Sequence, residues 1–263
     1  MTNPSNGATR MSRTYAITGA GSGIGKATAD LFTQSGHRVI GIDLRDADIT
    51  IDLSNPENRN ELPDLVAELA PEGLDGILAI AGGPPDVNFF GAIATLDGLR
   101  PLLLDSPAPR AVAVTSLALL HEVDDRLVSA YLSGDEVDVA AESERIVETG
   151  RSELLYSSSK RALSQWIRRE SVKPEWAGNG IPLNAVAPGI IRTPMTFQIL
   201  ENEDSRRSLL ETVPMPLNGP ADAHVPAQLL AWLAGEANSH VTGQIIFLDG
   251  GADVSIRGDA IFA

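Results

Sequence analysis

The stretch TGAGSGIG, Thr18 to Gly25, decides how the rest of the chain is read. It follows a short β-type run, TYAIT, and opens a helix-type segment near 23–35. A strand that turns on glycine into a helix leaves the first helical amides unpaired and aimed at whatever sits above the turn. Gly19 permits the tight turn, Gly23 lets backbone approach a pyrophosphate, and Gly25 lets the helix pack against the sheet. The spacing is shifted by one residue from the common dinucleotide fingerprint, so the placement between strand and helix carries the reading. Asp43 ends the next strand, HRVIGID, where an acid accepting both adenosine ribose hydroxyls belongs. Its carboxylate would repel a 2′-phosphate by roughly 3 kcal/mol at ~5 Å and an effective dielectric of ~20, which favours NAD over NADP. Arg45, two residues on, is positioned to soften that preference by pairing with phosphate.

Outward from this turn the chain alternates. Candidate strands are TYAIT, HRVIGID, ITIDL, DGILAIAG, AVAVTS, IPLNAVAP and QIIFLDGG, and several are apolar at consecutive positions, as in a parallel sheet covered on both faces. Helices are expected near 23–35, 57–70, 88–104, 156–173, 196–212 and 222–235. This rhythm predicts an α/β chain built on a single Rossmann-type doubly wound parallel sheet of about seven strands. Residues 1–12 are polar and turn-rich and predict a flexible end, with 13–263 forming one dinucleotide-binding and catalytic domain. Residues 117–150 interrupt the alternation. Their acidic residues and spaced Leu, Val and Ile predict one or two amphipathic helices, a lid or small subdomain inserted between strand five and the next helix.

Bulk properties narrow the partners. The 263 residues carry a net charge of −15, no cysteine and no basic cluster, which argues against nucleic acid and anionic membranes. Without cysteine there are no disulfides or thiolate metal sites, and no metal is expected. No signal-like or membrane-length apolar run is present, so a cytoplasmic location is expected.

The second informative stretch is LLYSSSKRAL, 154–163. Tyr156 and Lys160 stand four residues apart, one helical turn, so phenol and ammonium share a face. A phenol is a poor base at neutral pH, but a cation ~5 Å away at an effective dielectric of ~20 contributes roughly 3 kcal/mol. That is expected to bring the Tyr156 phenol down far enough to act as a general acid/base.

With TGAGSGIG, Asp43 and YSSSK together, the chain resembles the short-chain dehydrogenases/reductases from about residue 14 to 251. The likeness is nearest to their 3-alpha-hydroxysteroid dehydrogenase/carbonyl reductase branch, which carries a similar GIDLRDA and a long insertion between serine and tyrosine. Coniferyl alcohol dehydrogenases look related too. The resemblance implies a catalytic set of Ser116, Tyr156, Lys160 and Asn88, with Asn88 anchoring a water that feeds protons to Lys160. It implies that Lys160 also binds the nicotinamide ribose, that Pro188, Gly189, Ile191 and Thr193 hold the carboxamide side, and that Asp52 and Leu53 contact adenine. Ser22, Ile24, Leu44, Ala81 and Gly82 would complete the NAD site.

Two departures stand out. Ile80 takes the place of an asparagine that ties strands together in the family, and only GPPDV separates Gly82 from Asn88, where relatives place a helix. An open adenine side is therefore expected. His121 and the flanking Leu117, Leu119, Leu120, Leu155, Met195 and Phe197 are candidates to touch an apolar substrate, with ordinary core or loop roles equally open. The leading expectation is an NAD(H)-dependent enzyme interconverting a bulky apolar secondary alcohol and its ketone. A primary aryl alcohol dehydrogenase and a non-catalytic NAD-binding regulator are the alternatives. A homodimer or homotetramer is expected, and a dimer through 222–251 if 117–150 obstructs the other pairing face.

Overall fold

The computed structural model of the chain describes residues 12–262, so the expectation of a flexible end over 1–12 lies outside the described residues except at Ser12. Strands β1 (Thr14–Thr18), β2 (Arg38–Asp43), β3 (Ile49–Thr50), β4 (Gly76–Ala79), β5 (Arg110–Val114), β6 (Leu183–Pro188) and β9 (Ile245–Leu248) form one sheet in the order β3-β2-β1-β4-β5-β6-β9. Every neighbouring pair is parallel. A separate two-stranded pair joins β7 (Ile191–Arg192) to β8 (Ala221–Asp222). The chain runs outward from β1 to β3, then restarts at β4 on the other side of β1. That reversal opens a crevice at the carboxyl ends of the strands.

Strand alternation explains both covered faces. Tyr15, Ile17, Leu78, Val112, Val114 and Val186 pack with helices α1 (Gly23–Gln34) and α9 (His224–Ala234). Ala16, Ile77, Ala79, Ala111, Ala113 and Ala185 point the other way, toward α2 (Pro56–Leu69), α3 (Ala92–Leu99) and α6 (Glu153–Glu170). The alanines on that face leave room for the bulkier Leu96, Leu163 and Ile167 of the helices.

The segment 117–150 forms a 3-10 turn (Leu117–Leu120), α4 (Asp125–Ser133) and α5 (Glu136–Glu148). Both helices are capped by aspartate: Asp124 accepts from the Arg126 and Leu127 amides, and Asp135 from Val137 and Asp138. Gly134, left-handed at φ 78°, ends α4. The apolar residues Leu127, Val128, Tyr131, Val139 and Ile146 are buried in the same cluster as α6 and the sheet.

Three expected elements differ. The 88–104 helix is a π turn over Val87–Gly91, then α3, then a 3-10 turn over Arg100–Leu103, because Pro101 lacks the amide that would continue it. The 196–212 helix breaks into α7 (Phe197–Glu201) and α8 (Glu203–Thr212) at Asn202, whose side chain caps the second by accepting from Ser205. ITIDL keeps only two residues in the sheet, since Asp52 turns back to bind Ser54. A short terminal helix, α10 (Ala252–Arg257), was not anticipated.

Candidate active site

The glycine turn is tighter than its composition suggests. Gly19 has φ +73°, and a Cβ on Gly25 would sit 2.0 Å from the Gly19 carbonyl oxygen, so α1 begins directly against the turn. Ser22, at its N-cap, makes no side-chain cap bond, unlike the residues that cap α2, α4, α5 and α8. The first amides of α1 are therefore left for an anion. Asp43 braces the turn from β2: its Oδ2 accepts from the Gly21 amide at 2.8 Å and its Oδ1 from the Leu44 amide at 2.7 Å. Across the crevice Thr193 faces Gly23, since a Cβ built on Gly23 would lie 3.2 Å from Thr193 Cγ2. Thr196 secures Thr193 by accepting its amide and donating to the Ile191 carbonyl.

The catalytic candidates stand farther along the same crevice. Ser116 follows β5, and its Oγ accepts from the Ala118 amide at 3.1 Å. Tyr156 and Lys160 project from one face of α6. Lys160 is 3% exposed and donates from Nζ to the Val114 carbonyl at 3.1 Å, while Tyr156 keeps 37% exposure. The Lys160 ammonium lies 5.9 Å from the centroid of the Tyr156 ring, and the Ser116 hydroxyl is near enough to the phenol to favour its ionised form. The serines between them are buried and engaged. Ser157 donates to the Glu122 carbonyl, Ser158 accepts from the Asp124 amide, and Ser159 donates to the Tyr156 carbonyl.

Together these groups line a cleft of about 410 Å3. Ser116 and every residue expected to hold NAD, namely Gly19, Ser22, Gly23, Ile24, Gly25, Asp43, Leu44, Asp52, Leu53, Ala81, Gly82, Tyr156, Lys160, Pro188, Gly189, Ile191 and Thr193, face it. Uncapped amides for a pyrophosphate, glycines that leave no Cβ in its path and an acid at ribose distance along the sheet form a donor set suited to a dinucleotide.

A family model described as enoyl-(acyl carrier protein) reductase matches residues 19–253. The 3-alpha-hydroxysteroid dehydrogenase/carbonyl reductase of Comamonas testosteroni is 34% identical over 92% of this chain and 96% of its own length. The galactitol 2-dehydrogenase (L-tagatose-forming) of Cereibacter sphaeroides is 31% identical over 91% and 94%. The crystal structure of the 3-alpha-hydroxysteroid dehydrogenase from Pseudomonas sp. B-0831 complexed with NADH superposes with a TM-score of 0.85 at 36% identity, covering 93% of this chain and 98% of that one. The chain belongs to the short-chain dehydrogenase/reductase family.

Family membership makes it an oxidoreductase, and the departures from the family pattern now have structural answers. Where the asparagine is missing, Ile80 is buried in the core and the Thr18 hydroxyl accepts from the Ile80 and Ala81 amides at 3.1 and 3.2 Å. Thr18 thus ties β1 to the end of β4; it was in the opening motif and its role was missed. Of the short GPPDV loop, Pro84 and Val87 line the cleft.

Asn88 lies beneath the cleft rather than in its wall. It is fully buried, donates to Gly83 O and Ser159 Oγ, and accepts from the Gly83 amide. It does not line the cleft; the π turn directs it inward, where it holds the Gly82–Gly83 backbone beside Lys160. His121 and Phe197 do not line the cleft either, whereas Met195 does.

Burial raises the Tyr156 phenol, with the Ser116 hydroxyl pulling the other way. Burial pushes Lys160 itself down to about 8 from 10.5. The folded protein therefore binds fewer protons at Lys160 than the unfolded chain between pH 8 and 10.5, and this residue's destabilising effect fades as pH rises through that window. Lys160→Met is expected to stabilise the cofactor-free protein at pH 7 by about 2 kcal/mol and to flatten that slope. Urea unfolding across the pH range is the check, and a less stable variant at pH 7 would refute it.

Proposed function

We propose that the chain is an NAD(H)-dependent alcohol dehydrogenase/ketone reductase acting on a bulky, apolar secondary alcohol, steroid-like, terpene or aryl. The observation that carries this is the convergence of Ser116, Tyr156 and Lys160 on the cleft that the glycine turn opens. The size and polarity of the substrate rest on Met195, exposed and lining the cleft, and on the likeness to hydroxysteroid dehydrogenases.

Bound NAD would supply the hydride acceptor, and in its reduced form the donor. Gly19, Gly23 and the amides of α1 would hold its pyrophosphate, Asp43 the adenosine ribose, Asp52 and Leu53 the adenine, and Pro188, Gly189, Ile191 and Thr193 the carboxamide side. Ser116 Oγ holds the substrate oxygen and stabilises charge growing on it. Tyr156 Oη takes the alcohol proton in oxidation and returns it to the developing alkoxide in reduction. Lys160 places a cation behind the phenol and would donate to the ribose hydroxyls. Asn88 and Thr18 act at one remove, by fixing the backbone that the cofactor meets.

The test is purified protein with NAD⁺ and a panel of cyclic, terpene and aryl alcohols, including primary aryl alcohols, followed by the ultraviolet absorbance of reduced nicotinamide. Turnover of secondary members is the expected result. Turnover of primary aryl alcohols alone would favour the coniferyl-type activity, and cofactor binding without any turnover a regulator.

The proposal extends to assembly. β9 is a sheet edge whose Ile245, Ile246, Phe247 and Leu248 are half-buried, and Trp232 on α9 is 44% exposed. With α4 packed on α6, pairing through 222–251 is the route left open. Light scattering is expected to give a dimer, and a monomer would end this reading.

A further inference from the structure

We propose that Arg59 is a positioning residue for the adenine end of the cleft, and that the inserted segment holds it there through Glu136. This rests on reading the cleft as a dinucleotide site and goes beyond it by giving 117–150 a role in cofactor binding. Arg59 lies on α2 and is 7% exposed. Its Nη1 donates to both the Leu53 and Ser54 carbonyls, at 3.1 and 2.9 Å. Its Nη2 pairs with Glu136 Oε1 at 2.5 Å, and the guanidinium sits 5.5 Å over the Phe90 ring.

The two carbonyls follow directly on Asp52, and both Asp52 and Leu53 line the cleft. Asp52 Oδ1 accepts from the Ser54 amide and hydroxyl at 2.9 and 2.7 Å, so whatever fixes Ser54 also fixes Asp52. One planar guanidinium therefore sets the backbone beneath the adenine end. A lysine would have to serve both carbonyls and the Glu136 carboxylate from one nitrogen, whereas the guanidinium divides them between Nη1 and Nη2. A cation this deeply buried needs a counter-charge. Among the described residues, the acid that pairs with Arg59 is Glu136, in the first turn of α5.

Helix α5 is fastened at its other end as well. Arg145 binds Asp124 at 2.6 Å, and the Asp124 amide donates to Ser158 of α6 at 2.9 Å. A rigid helix thus runs between two polar anchors, one on the helix that carries Tyr156 and one on the adenine-side loop. Such a chain of packed, hydrogen-bonded groups is physically able to couple the two, and a double-mutant cycle is the means of showing it.

The test uses the full chain and the variants Glu136→Gln, Arg59→Lys and both together. Glu136 has 44% of its side chain exposed and its neutral isostere keeps a polar group beside Arg59, with circular dichroism and urea unfolding as the controls on the fold. Calorimetry with ADP-ribose, which carries the adenine end, and with nicotinamide mononucleotide, which lacks it, gives the readout. Glu136→Gln is expected to weaken ADP-ribose about tenfold and raise KM for NAD to match. Mononucleotide affinity and kcat at saturating NAD should hold within about twofold. On the Arg59→Lys background the same change should add less than about twofold. Equal ADP-ribose affinity in Glu136→Gln and the natural protein overturns the inference; so does an equal loss for both fragments, or full additivity. If the natural protein binds no ADP-ribose, the dinucleotide reading fails first and takes this inference with it.

Discussion

Tyr156→Phe is expected to lower kcat by about 10³-fold or more in both directions while leaving NAD(H) affinity within about twofold. The phenyl ring fills the same space, so the cleft wall and the packing of α6 are kept. What disappears is the phenolic hydroxyl assigned to exchange a proton with substrate. Because burial holds the phenol above its ordinary value, its protonated form dominates at neutral pH, which suits the reductive direction. Alcohol oxidation needs the deprotonated form, so its rate should climb with pH while ketone reduction falls away at the alkaline end. Stopped-flow single turnovers and fluorescence titration of the reduced cofactor separate chemistry from binding. A variant that keeps a tenth of its turnover would show that another group carries the proton.

The second large effect is expected at Asp43. Asp43→Asn should move the ratio of kcat/KM for NADP over that for NAD upward by about 10²-fold, the equivalent of the roughly 3 kcal/mol of repulsion between its carboxylate and a 2′-phosphate. Arg45 also lines the cleft and remains in the variant to meet that phosphate. Asparagine replaces only one of the two oxygens that accept from the Gly21 and Leu44 amides, so NAD itself should bind about tenfold more weakly. Initial rates with both cofactors against a single alcohol measure the ratio. An unchanged ratio would mean that the preference is set elsewhere in the cleft.

Short-range signals were legible without coordinates. The glycine turn, the acid at the end of β2 and the Tyr156–Lys160 spacing each depend on one turn or one strand, and local backbone geometry places such groups with little help from the rest of the chain. The parallel sheet and its two covered faces followed from apolar runs alternating with helical segments, whereas the strand order came from the structure. Harder were Asn88, turned inward by a π turn, and Thr18, whose hydroxyl reaches amides more than sixty positions away. No local pattern encodes either. Spacing likewise gives the distance between phenol and ammonium but not how much water the fold removes from them, and that removal raises the phenol.

The chain alone therefore indicated, through local spacing at the glycine turn and the Tyr156–Lys160 pair and through its likeness to the family for the rest, which residues gather at the carboxyl ends of the strands. Tertiary packing decided what those residues experience. The burial of Lys160, the bracing of the turn by Asp43 and the reach of Glu136 to Arg59 all join positions far apart in sequence. Desolvation and long-range polar pairing are properties of the assembled interior, and they exist only once the sheet and its helices have closed around them.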